Sequence, residues 1–67
     1  MIQSIMFDNT RWNVNSARKW LSMHGYRPIK GAHITDNYIH YRIKEPDRTK
    51  RSRNIPFGQG IKAVAQF

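Results

Sequence analysis

The side chains able to do chemistry in this chain are three histidines, four serines, four carboxylates and a late run of arginines and lysines. A serine nucleophile needs Ser, His and Asp linked by hydrogen bonds, and no nucleophile-elbow or comparable signature surrounds Ser4, Ser16, Ser22 or Ser52. The acids Asp8, Asp36, Glu45 and Asp47 all fall in or beside predicted turns, where turn formation and charge balance account for them. His24, His33 and His40 show no i,i+4 pairing, and there is no cysteine, so the usual zinc ligand spacings are missing. His24 sits on an apolar helix face just before Gly25, where a terminal carbonyl can satisfy it. The expectation is a non-enzymatic protein without metal, cofactor or small-molecule substrate.

Two further features resemble ligand sites and read better as structure. A phosphate-cradling glycine loop leads into a helix N-terminus, whereas Gly58-Gln59-Gly60 leads into the strand-like IKAVAQF, so it reads as a hairpin turn. Trp20 falls mid-face on a helix and reads as core. Trp12 has the chemistry to stack on a base, but its place before a helix cap favours packing.

What remains is basic and aromatic. Tyr38, His40, Arg42 and Lys44 alternate along one side of the run NYIHYRIK, which continues into PDRTKRSRN with Arg48, Lys50, Arg51 and Arg53. Arg and Lys neutralise phosphates and release counterions, and Tyr or His stacks on an exposed base. Arg18 and Lys19, on the predicted exposed helix face, widen the expected footprint. The expected site is therefore Tyr38, His40, Arg42, Lys44, Arg48, Lys50, Arg51 and Arg53, extended by Arg18 and Lys19. No helix-turn-helix, zinc-finger or RNP signature accompanies them, so binding is expected to tolerate sequence. A bland alternative is a solvated basic connector. TKRSR also matches nuclear-import and dibasic-cleavage patterns, both of which arise easily in any Arg/Lys-rich stretch.

Composition supports an anionic partner. Twelve Lys and Arg against four Asp and Glu give a net charge of +8 in 67 residues, and positive potential over so small a surface attracts nucleic acid, anionic membranes or acidic proteins. Hydrophobic residues make up 39% and eight are aromatic (two Trp, three Tyr, three Phe), which fits one small globular domain over 1–67. No apolar run approaches the roughly 20 residues of a membrane span. Residues 1–7 lack the pattern of a secretory signal. The chain is thus expected in a reducing compartment, or in a particle assembled in one, and not secreted.

These residues must be positioned by few elements. IQSIMF, ending at Asp8-Asn9-Thr10, predicts a first strand. WNVNSARKWLSMHGYRP predicts a helix with Asn13 as N-cap, a Trp12–Ala17 staple, Gly25 at C′ and Tyr26 folding back in a Schellman ending before Pro28. Val14, Ala17, Trp20, Leu21 and His24 share its apolar face. PIKGAHIT and NYIHYRIK predict two strands around Asp36-Asn37, with Ile39, Tyr41 and Ile43 facing opposite to Tyr38, His40 and Arg42. NIPF and IKAVAQF predict a final hairpin in which Ile61, Ala63, Ala65 and Phe67 share a face. The expected class is α+β, one amphipathic helix packed on a small, mostly antiparallel sheet in the order β-α-β-β-β-β.

The frame Phe7, Trp12, Ala17, Trp20-Leu21, His24-Gly25-Tyr26, Asn37-Tyr38, Tyr41-Arg42, Pro46 and Gly58-Gln59-Gly60-Ile61-Lys62 resembles a short domain of DNA-virus proteins. That domain is found in prohead-protease-like proteins of tailed phages and in small reading frames of large eukaryotic DNA viruses. The resemblance spans nearly the whole chain, and its most specific parts are the W-x(4)-A-x-x-W-L-x-x-H-G-Y helix and the G-x-G-I-K turn. It implies a viral setting, in a virion or in the cytoplasm or nucleus of an infected host. It carries over no functional residues. The chain departs from the pattern at Asn13, Asn15 and Ser16, and it stops where longer relatives continue, so their protease activity is not implied. Three functions are expected to compete: nucleic-acid binding, a minor capsid, cement or docking module on acidic viral or host proteins, and inhibition of a host enzyme.

Overall fold

The computed structural model describes all residues 1–67. Its elements are β1 (Ile2–Asp8), α1 (Val14–Met23), β2 (His33–Ile34), β3 (Tyr38–Arg42), β4 (Ser52–Gly58) and β5 (Ile61–Gln66). The five strands form one antiparallel sheet in the order β2-β3-β1-β5-β4, with α1 packed on one side. The predicted α+β class and element order are those observed.

β1 is the centre because its alternation serves two layers. Ile5 and Phe7 are fully buried toward the helix, between Tyr41 and Ile39 of β3 and Ala63 and Ile61 of β5. Ala17 and Leu21 close the core from above. Nine residues are buried and none is polar or charged in type. At about 1.5–3 kcal/mol per large apolar side chain buried, so small a core leaves little margin.

Both helix ends are built from the cap residues. The Ser16 N–H donates to Asn13 Oδ1 at 2.8 Å and the Asn13 N–H donates to Ser16 Oγ at 3.0 Å, a reciprocal capping box. At the other end the Tyr26 N–H donates to Leu21 O at 2.9 Å and the Gly25 N–H to Ser22 O at 3.2 Å, the Schellman pattern, with Gly25 at φ +78°. Trp12 packs against the core and reaches across the chain. Its indole N–H donates to Gln59 O at 2.8 Å and its ring lies 5.3 Å from that of Phe7, tying the start of the helix to the β4–β5 turn. That turn has positive φ at Gln59 (57°) and Gly60 (77°), the left-handed pair of a two-residue hairpin.

Two strand boundaries differ from expectation. Only His33 and Ile34 of PIKGAHIT pair with β3. Pro28 has no N–H to offer, and in the 27–32 segment Ile29 alone donates its N–H within the chain, to Arg42 O at 2.8 Å. Conversely, Ser52 and Arg53, read as part of the basic connector before the strand NIPF, belong to β4, because β5 is long enough to pair them with Gln66 and Ala65. Pro56 is tolerated there because β4 is an edge strand.

Candidate nucleic-acid interface

The side of the sheet away from α1 carries no covering element. Strand alternation and register place His33, Tyr38, His40, Arg42, Ser4, Met6, Asp8, Lys62, Val64 and Asn54 on it. One row across the sheet runs His33, His40, Met6, Lys62, Pro56, and the next runs Arg42, Ser4, Val64, Asn54. Tyr38, His40 and Arg42 are brought together here as the alternation of NYIHYRIK requires.

Lys62 is the member that the sequence reading missed. Its ammonium lies 4.3 Å from the Tyr38 ring centroid, a cation–π contact that holds a positive charge near the middle of the face. The signal was present: Ile61, Ala63 and Ala65 face the core, so Lys62 must point the other way. The His33 and His40 rings meet edge-on at 6.1 Å, and His40 meets Tyr38 at the same distance. Burial, then the neighbouring charges of His33 and Lys62, push the His40 pKa down from its ordinary value. This favours the neutral form of His40, so the standing positive charge of the face comes mainly from Arg42 and Lys62.

Two acids offset part of this charge, Asp8 opposite Tyr38 in the register and Glu45 beside Arg42. Asp8 Oδ1 accepts from the Thr10 N–H (2.9 Å) and hydroxyl (2.8 Å), and these bonds hold its pKa below the usual carboxylate value. Asp47 does the same with Thr49, hydroxyl first at 2.6 Å and N–H at 2.9 Å. Glu45 makes both ion pairs of the molecule, with Arg42 at 3.6 Å and Lys30 at 3.9 Å. At this exposure such pairs contribute little to stability.

The basic run does not simply continue that face. Lys44 leaves the alternation, because the N–H groups of Ile43 and Lys44 both donate to Gln3 O, at 2.7 and 3.0 Å, and bend the chain. Arg48 and Lys50 lie in an exposed turn closed by the Lys50 N–H to Asp47 O at 3.2 Å. The loop is clamped at its start: Gln66 Oε1 accepts from the Asp47 N–H at 2.9 Å and Gln66 Nε2 donates to Asp47 O at 3.1 Å. Arg53 pairs with Ala65, and the Phe67 N–H donates to Arg51 O, so Arg51 and Arg53 stand on the helix side of the sheet edge. The Arg53 guanidinium sits 5.3 Å from the Phe67 ring centroid. The expected continuous surface is thus two surfaces, one on the open face and one around the β4 edge. Arg18 and Lys19 are exposed on α1, also across the sheet from Tyr38, and do not extend the open face.

The residues assigned to structure behave so. His24 Nδ1 is hydrogen-bonded to Trp20 O at 2.8 Å, and its ring stacks on Trp20 at 3.9 Å. Trp20, read as core, is only half-buried and also meets Tyr26 and Phe57. No group of three or more His, Cys, Asp or Glu residues is placed to hold a metal ion. No helix is long and apolar enough to cross a membrane. Compared with known proteins, the chain matches no family model, no curated protein and no solved structure.

Proposed function

We propose that the protein binds single-stranded nucleic acid across the helix-free face of its sheet, with little regard to sequence. The observation that carries this reading is the set Tyr38, His40, Arg42 and Lys62 on one uncovered face, in a chain of net charge +8. Arg42 and Lys62 meet phosphates, and Tyr38 and His40 offer rings to bases. Strands about 4.8 Å apart make a five-stranded face roughly 20 Å across. That is too broad for a major groove of about 12 Å, whereas a single strand can lie over it. No enzymatic step belongs to the reading.

Fluorescence anisotropy of a labelled oligonucleotide tests it. Single strands of unrelated sequence bind with similar affinity and more tightly than duplex of equal length. With the two phosphates that Arg42 and Lys62 can neutralise engaged, log K falls against log salt with a slope of about −1.4. A flat salt dependence, or preference for one sequence, contradicts the proposal.

A second reading, docking on an acidic protein, is favoured by the β4 edge. There Phe67, 62% exposed, lies against Arg53, Phe57, 42% exposed, lies at the far end of the strand, and the strand has a free side for an added one. Protein capture that is lost on Arg51→Glu/Arg53→Glu and indifferent to nuclease supports this reading over the first.

A further inference from the structure

A second basic site lies on the opposite side of the sheet from the proposed strand-binding face. A cleft of about 820 Å³ runs along α1 beneath the 25–32 segment. Val14, Arg18, Leu21 and Ser22 form its helix wall, Arg27, Lys30 and Gly31 its outer wall, and Tyr41 of β3 lies at its base. No carboxylate lines it, while two guanidiniums and an ammonium do.

Tyr41 makes this more than a basic groove. The residue is 2% exposed, its ring is held edge-on to Phe7 at 6.0 Å, and its hydroxyl is buried with no hydrogen-bond partner. Leaving a buried hydroxyl unsatisfied costs about 1–3 kcal/mol, and phenylalanine would fill the same space without that cost. Arg18 and Tyr41 both line the cleft, and the charge of Arg18 opposes the upward push that burial gives the phenol. A neutral O–H donor beside a guanidinium suits an oxyanion, which accepts from both. Donors are also free on the outer wall, since the N–H groups of Arg27, Lys30, Gly31 and Ala32 have no acceptor within the chain. Lys30 does reach Glu45, but at 3.9 Å and with both side chains largely exposed, a pair easily exchanged. The apolar part of the wall, from Val14, Leu21 and Tyr26, gives room for an organic body attached to the anion.

We infer that this cleft binds a phosphate monoester, with Arg18 and Arg27 on the phosphate oxygens and the Tyr41 hydroxyl donating to one of them. The monoester is either a free mononucleotide or the 5′-phosphate of a strand. This site stands apart from the sheet face and does not require it. Tyr41→Phe keeps the shape and discriminates sharply. In calorimetry at low salt with adenosine monophosphate as probe, the parent binds, and Tyr41→Phe weakens binding about tenfold while melting at the same temperature or higher. Arg18→Gln weakens binding by at least as much, whereas Arg48→Gln, which removes the same charge outside both sites, leaves it unchanged. Adenosine alone does not bind. A 5′-phosphorylated dinucleotide that binds as well as the mononucleotide assigns the site to strand ends, and one that fails to bind assigns it to free nucleotides. Absence of binding by the parent, equal binding by Tyr41→Phe, or a Tyr41→Phe protein that melts several degrees lower overturns the assignment.

Discussion

Gly60→Ala should be among the most damaging small substitutions in this protein. Gly60 sits at φ +77°, where a side chain costs about 1–2 kcal/mol. A Cβ built there also comes within 2.9 Å of Asp8 Cβ and 3.2 Å of Arg11 Cδ. Arg11 can swing away, but Asp8 cannot easily retreat, because its N–H donates to Gly60 O at 2.7 Å and β1 is the central strand. Forcing that contact adds about 1–3 kcal/mol. The total, roughly 2–5 kcal/mol, falls on a domain whose length implies only about 3–10 kcal/mol of stability. Gly58→Ala is the control, since Gly58 has a similar φ of +82° but open space around its Cβ. Both variants gain equally from a stiffer unfolded chain, so their difference isolates the collision. Urea unfolding followed by tryptophan fluorescence should show Gly60→Ala less stable than Gly58→Ala by about 1–3 kcal/mol, or about 5–20 °C in melting temperature. Equal costs within about 0.5 kcal/mol would refute the tight seating of the turn on β1 and Trp12.

Two other predictions concern the loop and the sheet face. Gln66→Met removes the clamp on Asp47, so trypsin should cut after Arg48 and Lys50 several-fold faster while the far-ultraviolet spectrum is unchanged; an unchanged cutting rate would contradict the clamp. Because the His40 pKa is lowered in the folded state, the unfolded chain binds more protons below about pH 6.5. Stability from this residue is therefore full at pH 7, falls as the pH drops through 6.5 toward the lowered folded value, and levels off beneath it. His40→Gln should flatten that part of a melting-temperature profile measured from about pH 7 to about pH 5; a slope that survives the substitution would assign it elsewhere.

How far the sequence carried the structure depended on how local the signal was. Asn13, Gly25 and Tyr26 act through bonds within one turn, and the helix ends lie where those residues imply. The alternation of NYIHYRIK likewise placed Tyr41 inward and Tyr38 outward. What failed depended on partners far along the chain. The parity of Arg51 and Arg53 is set by register with Ala65 and Phe67, and a basic loop offers no alternation from which to read it. The clamp by Gln66 spans 19 residues and leaves no local mark. Lys62 was legible from its apolar neighbours, yet only the meeting of β1, β3 and β5 sets it beside Tyr38. The unsatisfied Tyr41 hydroxyl is a purely three-dimensional fact.

The central claim is that the open face, and not the basic run as a whole, grips the strand. Each double variant Arg42→Ala/Lys62→Ala and Arg51→Ala/Arg53→Ala removes two positive charges, so both lower the general potential equally. Side-by-side titration of one labelled single strand, at matched salt, separates local contact from overall charge. The open-face pair should lose at least about tenfold in affinity and about 1.4 in the salt slope, with the edge pair losing clearly less. Equal losses, or a larger loss at the β4 edge, would contradict the assignment of binding to the helix-free face.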